Sequence, residues 1–163
     1  MFKTSIITVS DRGYRGERED KSGHAIQEIL QGSDFEVIDY RIVPDEKDQI
    51  REALQDAIDR LGSDLVLTTG GTGLSPRDVT PDATLEVIDK EVPGFAEAMR
   101  AESLKKTPHA MISRALCGIR KSSLIVNLPG SPKAIDECLE VILPALPHAL
   151  SKLKGDPSEC GSI

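Results

Sequence analysis

Two aspartates and a run of glycines carry the chemistry this sequence could perform. Gly70-Gly71-Thr72-Gly73 follows an apolar run that reads as a strand, and Asp78 stands a few residues further on; Asp45 follows Pro44 at the end of another such run. With no Cβ in the way, a ligand can approach the main chain closely, and successive N–H groups form an anion-binding concavity. Two carboxylates, completed by phosphate oxygens and water, suit magnesium, which takes one or two protein carboxylates and keeps waters. The pattern predicts a phosphate-binding loop beside a metal-handling pair. Each feature also has a plainer role. A glycine run leaving a strand serves as a turn, and Asp45 suits an N-cap for the helix that follows. Asp78 has no evident capping duty, since Thr80 fills that position. Asp82, at the second helical position, reads as a complement to the helix dipole.

Two familiar phosphate loops are excluded. A P-loop needs Gly-Lys-Ser/Thr, but Leu74 follows Gly73. The dinucleotide fingerprint needs a glycine where Pro76 stands. His24, His109 and His148 are scattered without acid or serine partners, which argues against a hydrolytic triad. Arg77, Arg114, Arg120, Lys121 and Lys133 could meet an anion, although each alone reads as a solvated charge.

The elements that must position these residues follow from periodicity. Apolar runs at residues 5–9, 64–69 and 123–128 predict strands, residues 35–43 read as another that Pro44 stops, and a short further one falls at 115–119. Helical spacing predicts helices from Ser22, Asp45, Thr80, Pro93 and Ser131, and one or two helices through Leu153. Alternating strands and helices call for an α/β fold, a three-layer αβα sandwich around a mostly parallel central sheet. In such sheets ligands bind beyond the carboxyl ends of the strands. Ser10-Asp11, Pro44-Asp45, the glycine loop from Gly70 to Gly73, and Pro129-Gly130-Ser131 all fall at those ends.

Composition bounds the rest. The 163 residues suit one domain over 1–163, with those after about 154 a short tail. A net charge of -7, 3% aromatics and no Trp argue against nucleic acid. No stretch approaches membrane-spanning length, and the apolar run among the first residues is too short for a signal peptide or an anchor. Cys117, Cys138 and Cys160 are widely spaced and read as reduced thiols, so a cytoplasmic protein is expected.

The segments TVSDR, VPDE, TTGGTGLSPRDVTPDAT, PGFAEAMR and SRALCGIRKSSLIVNLPGSPKAIDE together resemble the molybdopterin adenylyltransferase family, the MogA/MoaB-type enzymes of molybdenum cofactor synthesis, a module also similar to a domain of gephyrin and plant Cnx proteins. The resemblance runs from about Ser5 to the helix after Lys133. It implies magnesium-dependent transfer of AMP from ATP to molybdopterin, with Asp45 and Asp78 as catalytic and metal-handling carboxylates. It further implies Gly71, Thr72 and Gly73 against phosphate and pterin, Ser131 in the pterin-side loop, a homotrimer, and contact with other proteins of the pathway. A non-catalytic molybdopterin carrier using the same pocket is the alternative. A hydrolase of the competence-damage type shares the fold but normally carries a further domain.

Overall fold

The computed structural model describes residues 1–158, so Cys160 lies outside the described residues. The strands are β1 (Phe2–Val9), β2 (Phe35–Val43), β3 (Leu65–Thr69), β4 (Lys90–Glu91), β5 (Cys117–Arg120) and β6 (Ser123–Leu128). The helices are α1 (Asp11–Tyr14), α2 (Lys21–Leu30), α3 (Lys47–Asp59), α4 (Thr80–Val87), α5 (Pro93–Leu104), α6 (Pro132–Ile142) and α7 (Leu146–Leu153), with a 3-10 turn at Pro108–Ile112.

Ile6 and Ile7 are both fully buried yet belong to opposite hydrophobic clusters, as do Leu65 and Val66, and Leu124 and Ile125. Neighbours on a strand point to opposite faces, so runs apolar at every position must be covered on both sides. Ile26 and Leu30 of α2, Met99 of α5, Ile135 and Leu139 of α6, and Leu146 and Leu150 of α7 pack on one face; Ile50, Leu54 and Ala57 of α3 and Ala83 and Val87 of α4 pack on the other. This is the expected αβα sandwich.

The sheet runs β2-β1-β3-β6-β5-β4; its first four strands are parallel, and β5 and β4 are antiparallel at one edge. The chain leaves β1 toward β2 on one side and β3 toward β6 on the other. The topological switch point therefore lies between the carboxyl ends of β1 and β3, where an open α/β sheet leaves a crevice.

Two expectations are corrected. Thr80 is not an N-cap: it is the first residue of α4, its hydroxyl turned away to the Gly70 carbonyl at 2.9 Å, and Val79 precedes the helix without a side-chain cap. Asp45 is not the cap of α3 either, because Glu46 holds that position.

Candidate active site

A cavity of about 440 Å³ opens at the switch point. Ser10, Asp45, Gly70, Gly71, Asp78, Gly130 and Ser131 line it, from four separate loops. Asp11, Thr72, Gly73 and Pro129 do not line it, and the structure gives each a supporting contact instead. The Pro129 carbonyl accepts the Thr69 hydroxyl at 2.7 Å. Ser131 caps α6, accepting the Ala134 N–H at 3.2 Å, so its capping and its place in the wall coexist.

The glycine loop is polarised. Its four successive carbonyls all accept from the protein: Gly70 from the Thr80 hydroxyl at 2.9 Å, Gly71 from the Thr80 N–H at 3.1 Å, Thr72 from the Arg114 N–H at 2.8 Å, and Gly73 from Arg114 Nε at 3.1 Å. The N–H groups of Gly71, Thr72 and Gly73 have no acceptor among the described residues. Positive φ at Gly70 (93°) and Gly71 (67°) makes this turn, and a methyl at Gly70 would meet the Val9 carbonyl. Carbonyls tied inward and N–H groups left free make an anion-binding nest.

The carboxylates are held by their neighbours. Asp45 Oδ2 accepts the Asp11 N–H and Asp78 Oδ2 accepts the Ser75 N–H at 2.9 Å. The other oxygen of each has no donor among the described residues. Burial is the largest influence on Asp45 and raises its pKa; nearby Asp11 and Asp78 add to the rise. Asp11 behaves oppositely: Arg77 grips both its oxygens, at 2.6 and 3.1 Å, and lowers its pKa. Among the described residues no group of three or more His, Cys, Asp or Glu is arranged to hold a metal by itself. Two carboxylates that line one cavity, each with an oxygen free of donors among the described residues, fit magnesium, whose remaining positions go to phosphate and water.

Asp20 and Asn127 were not singled out from the sequence, and Arg114 was read only as a cation that could meet an anion. Asp20 lines the cavity, caps α2 through the Gly23 N–H at 3.0 Å, and accepts hydroxyls of Thr8 at 2.5 Å and Tyr40 at 2.6 Å. A side chain on Gly23 would collide with all three. Asp followed by a helical apolar period is an N-cap signal, so Asp20 was findable. Arg114 straps the loop: it reaches Gly73 O, Asp78 O at 2.6 Å and the Asp82 carboxylate at 2.9 Å. Asn127, fully buried, donates to Thr68 and Thr84 at 3.0 Å each, joining β6, β3 and α4 beneath the loop. Neither Arg114 nor Asn127 carries a local sequence signal.

A family model described as "Probable molybdopterin binding domain" matches residues 5–148. The molybdopterin adenylyltransferase of Helicobacter pylori strain J99 is 48% identical over 153 residues, 93% of this chain and 87% of that protein. The molybdopterin adenylyltransferase of Escherichia coli K12 is 46% identical over 142 residues, 85% of this chain and 72% of that one. The crystal structure of the molybdopterin biosynthesis enzyme MoaB from Thermus thermophilus superposes with a TM-score of 0.91 at 55% identity, covering 98% of this chain and 100% of that one.

Proposed function

The chain belongs to the molybdopterin-binding domain family, and on that premise we propose that it is a molybdopterin adenylyltransferase of molybdenum cofactor biosynthesis, transferring AMP from ATP to the terminal phosphate of molybdopterin. The observation that carries this reading is the glycine loop with carbonyls tied down and N–H groups free, beside Asp45 and Asp78 on one cavity.

A phosphate oxygen of molybdopterin attacks the α-phosphorus of ATP. The new P–O bond forms as the bond from the α-phosphorus to its bridging oxygen breaks, and that oxygen leaves with its electron pair on pyrophosphate. The nucleophile is already anionic and needs no general base. The residues agree: among the described residues no histidine lines the cavity, and burial pushes the Cys117 thiol up to about 12, away from reactivity. The barrier lies in bringing two anions together and in the charge on the transferring group, so positioning and electrostatics dominate. Gly70 and Gly71 would receive phosphate, with Gly130 and Ser131 on the pterin side and Ser10 between them. Asp45 and Asp78 would hold Mg²⁺, which when bound neutralises phosphoryl charge.

The same reading makes the chain a single domain that acts as a homotrimer in the cytoplasm, in contact with other enzymes of the pathway. Among the described residues no helix is long and apolar enough to cross a membrane. Incubation with molybdopterin, ATP and magnesium should yield adenylated pterin and pyrophosphate. Pterin binding without any adenylated product would favour the carrier reading.

A further inference from the structure

Anion recognition in an acidic cavity needs cations as well as N–H donors. Four carboxylates, Glu19, Asp20, Asp45 and Asp78, line this one. We propose that Arg18 and Lys21 are its phosphate-binding side chains; the identity of the substrates, but not the anion site itself, rests on the function proposed above.

The cations that the sequence brings forward are occupied elsewhere. Arg77 is bound to Asp11 and Glu46, Arg114 to Gly73 O, Asp78 O and Asp82, and Arg120 and Lys121 to Asp59. None of them lines the cavity, nor does Lys133. Arg18 and Lys21 are the cationic side chains in its wall, and neither forms an ion pair or donates a side-chain hydrogen bond among the described residues. Both are exposed at the rim.

Lys21 is firmly anchored for a free surface charge. Lys21 directly follows Asp20, whose carboxylate is fastened by Gly23, Thr8 and Tyr40. Ser22 donates to the Gly130 carbonyl at 2.6 Å, joining the start of α2 to the opposite wall. The backbone at Lys21 is thus fixed on both sides while its ammonium stays unpartnered. Arginine offers a planar fork and lysine a point charge, and both suit phosphate oxygens. A phosphate seated on the glycine-loop N–H groups would leave its outer oxygens toward this rim. Those oxygens belong either to the polyphosphate of the nucleotide or to the phosphate of the pterin.

The test is calorimetric binding of tripolyphosphate to the full chain, wild type against Lys21→Ala, Arg18→Ala and the double variant, with Lys133→Ala as a charge-matched control. The double variant should lose affinity about thirtyfold or more, each single variant about tenfold, while the control changes less than about twofold. Lys21→Arg should retain most of the affinity. Undiminished binding by the double variant overturns the proposal, as does an equal loss in the control or wild-type protein that binds no tripolyphosphate. Repeating the titrations with α,β-methylene-ATP and with molybdopterin identifies whose phosphate the pair holds, by which affinity falls. If the variants lose tripolyphosphate but wild type never adenylates the pterin, the anion site stands and the transferase reading falls.

Discussion

Asp11 and Asp45 grip each other through their backbones: Asp45 Oδ2 accepts the Asp11 N–H at 2.8 Å, and Asp11 Oδ1 accepts the Asp45 N–H at 3.0 Å. Two like charges are thereby fixed side by side, and the Arg77 counter-ion favours Asp11. Asp45 is left half-buried, close to two other carboxylates, with a raised pKa.

Asp45→Asn should separate stability from activity. A folded pKa above the ordinary 3.8 means that Asp45 costs stability as pH rises past 3.8, with the full cost present above the folded value. At pH 7 the asparagine variant should melt no lower than wild type. Below about pH 3 both forms are neutral and the difference should vanish. AMP transfer should nevertheless fall about a hundredfold or more, the scale of a lost electrostatic contribution at a transferring group. A lower melting temperature at pH 7 would show that Asp45 supports the helix after all.

Asp78→Asn should lose transfer to a similar extent and keep its fold, because the amide oxygen can still accept the Ser75 N–H. Asp78→Ala removes that acceptor as well and should cost about 1 kcal/mol of stability in addition. Wild-type turnover by Asp78→Asn across a magnesium titration would refute the metal-handling role.

The glycines are not equivalent. Gly70→Ala places a methyl on the Val9 carbonyl at a left-handed φ and should destabilise by about 1–3 kcal/mol or more, seen in thermal melts. Gly73→Ala has no positive φ, and its methyl would press on the Asp78 carboxylate, so activity should fall with a smaller loss of stability. Thr72→Val should leave substrate affinity within about twofold, since Thr72 is buried behind the loop and outside the cavity wall.

Asn127→Leu should destabilise the protein by about 1–3 kcal/mol, leaving the Leu116 N–H unpaired and two threonine hydroxyls without their shared donor. Urea unfolding gives the difference directly. Equal midpoints would mean that the buried network is replaceable by apolar packing.

Asp59 reports acid stability away from the site. Arg120 and Lys121 hold its pKa down to about 2. The ionised form therefore contributes stability above the ordinary 3.8, and that contribution disappears as pH falls toward about 2. The melting difference between wild type and Asp59→Asn should be constant above about pH 5 and close steadily below it.

How much was legible follows from the physics of each signal. Strand β6 stood at its observed limits, because a short, mostly apolar run is hard to place anywhere but a covered sheet, and β2 did so because Pro44 stops it. β4 was missed: two exposed charged residues, Lys90 and Glu91, carry no period at all. The gathering of Asp45, Asp78, the glycines and Ser131 at one edge was readable from connectivity, since parallel strands put like ends together. The details of bonding were not. Thr80 looked like a cap because threonine before proline usually is one; only the path of the glycine loop explains why its hydroxyl turns to Gly70 instead. Arg18 and Lys21 looked like any charged loop residues, because sequence does not show which cations already have partners.

The loop that ties its carbonyls to Thr80 and Arg114 has one further consequence, for hydrogen exchange. Slow amide exchange normally accompanies rigid backbone because the same hydrogen bonds provide both. Here rigidity comes from the acceptor side alone, and the N–H groups of Gly71, Thr72 and Gly73 have no acceptor among the described residues. These amides should exchange rapidly in the ligand-free protein although the loop carbonyls are all hydrogen-bonded. Phosphate in the cavity should then slow the amide of Gly71, which lines it, so that protection there counts bound ligand rather than folded chain.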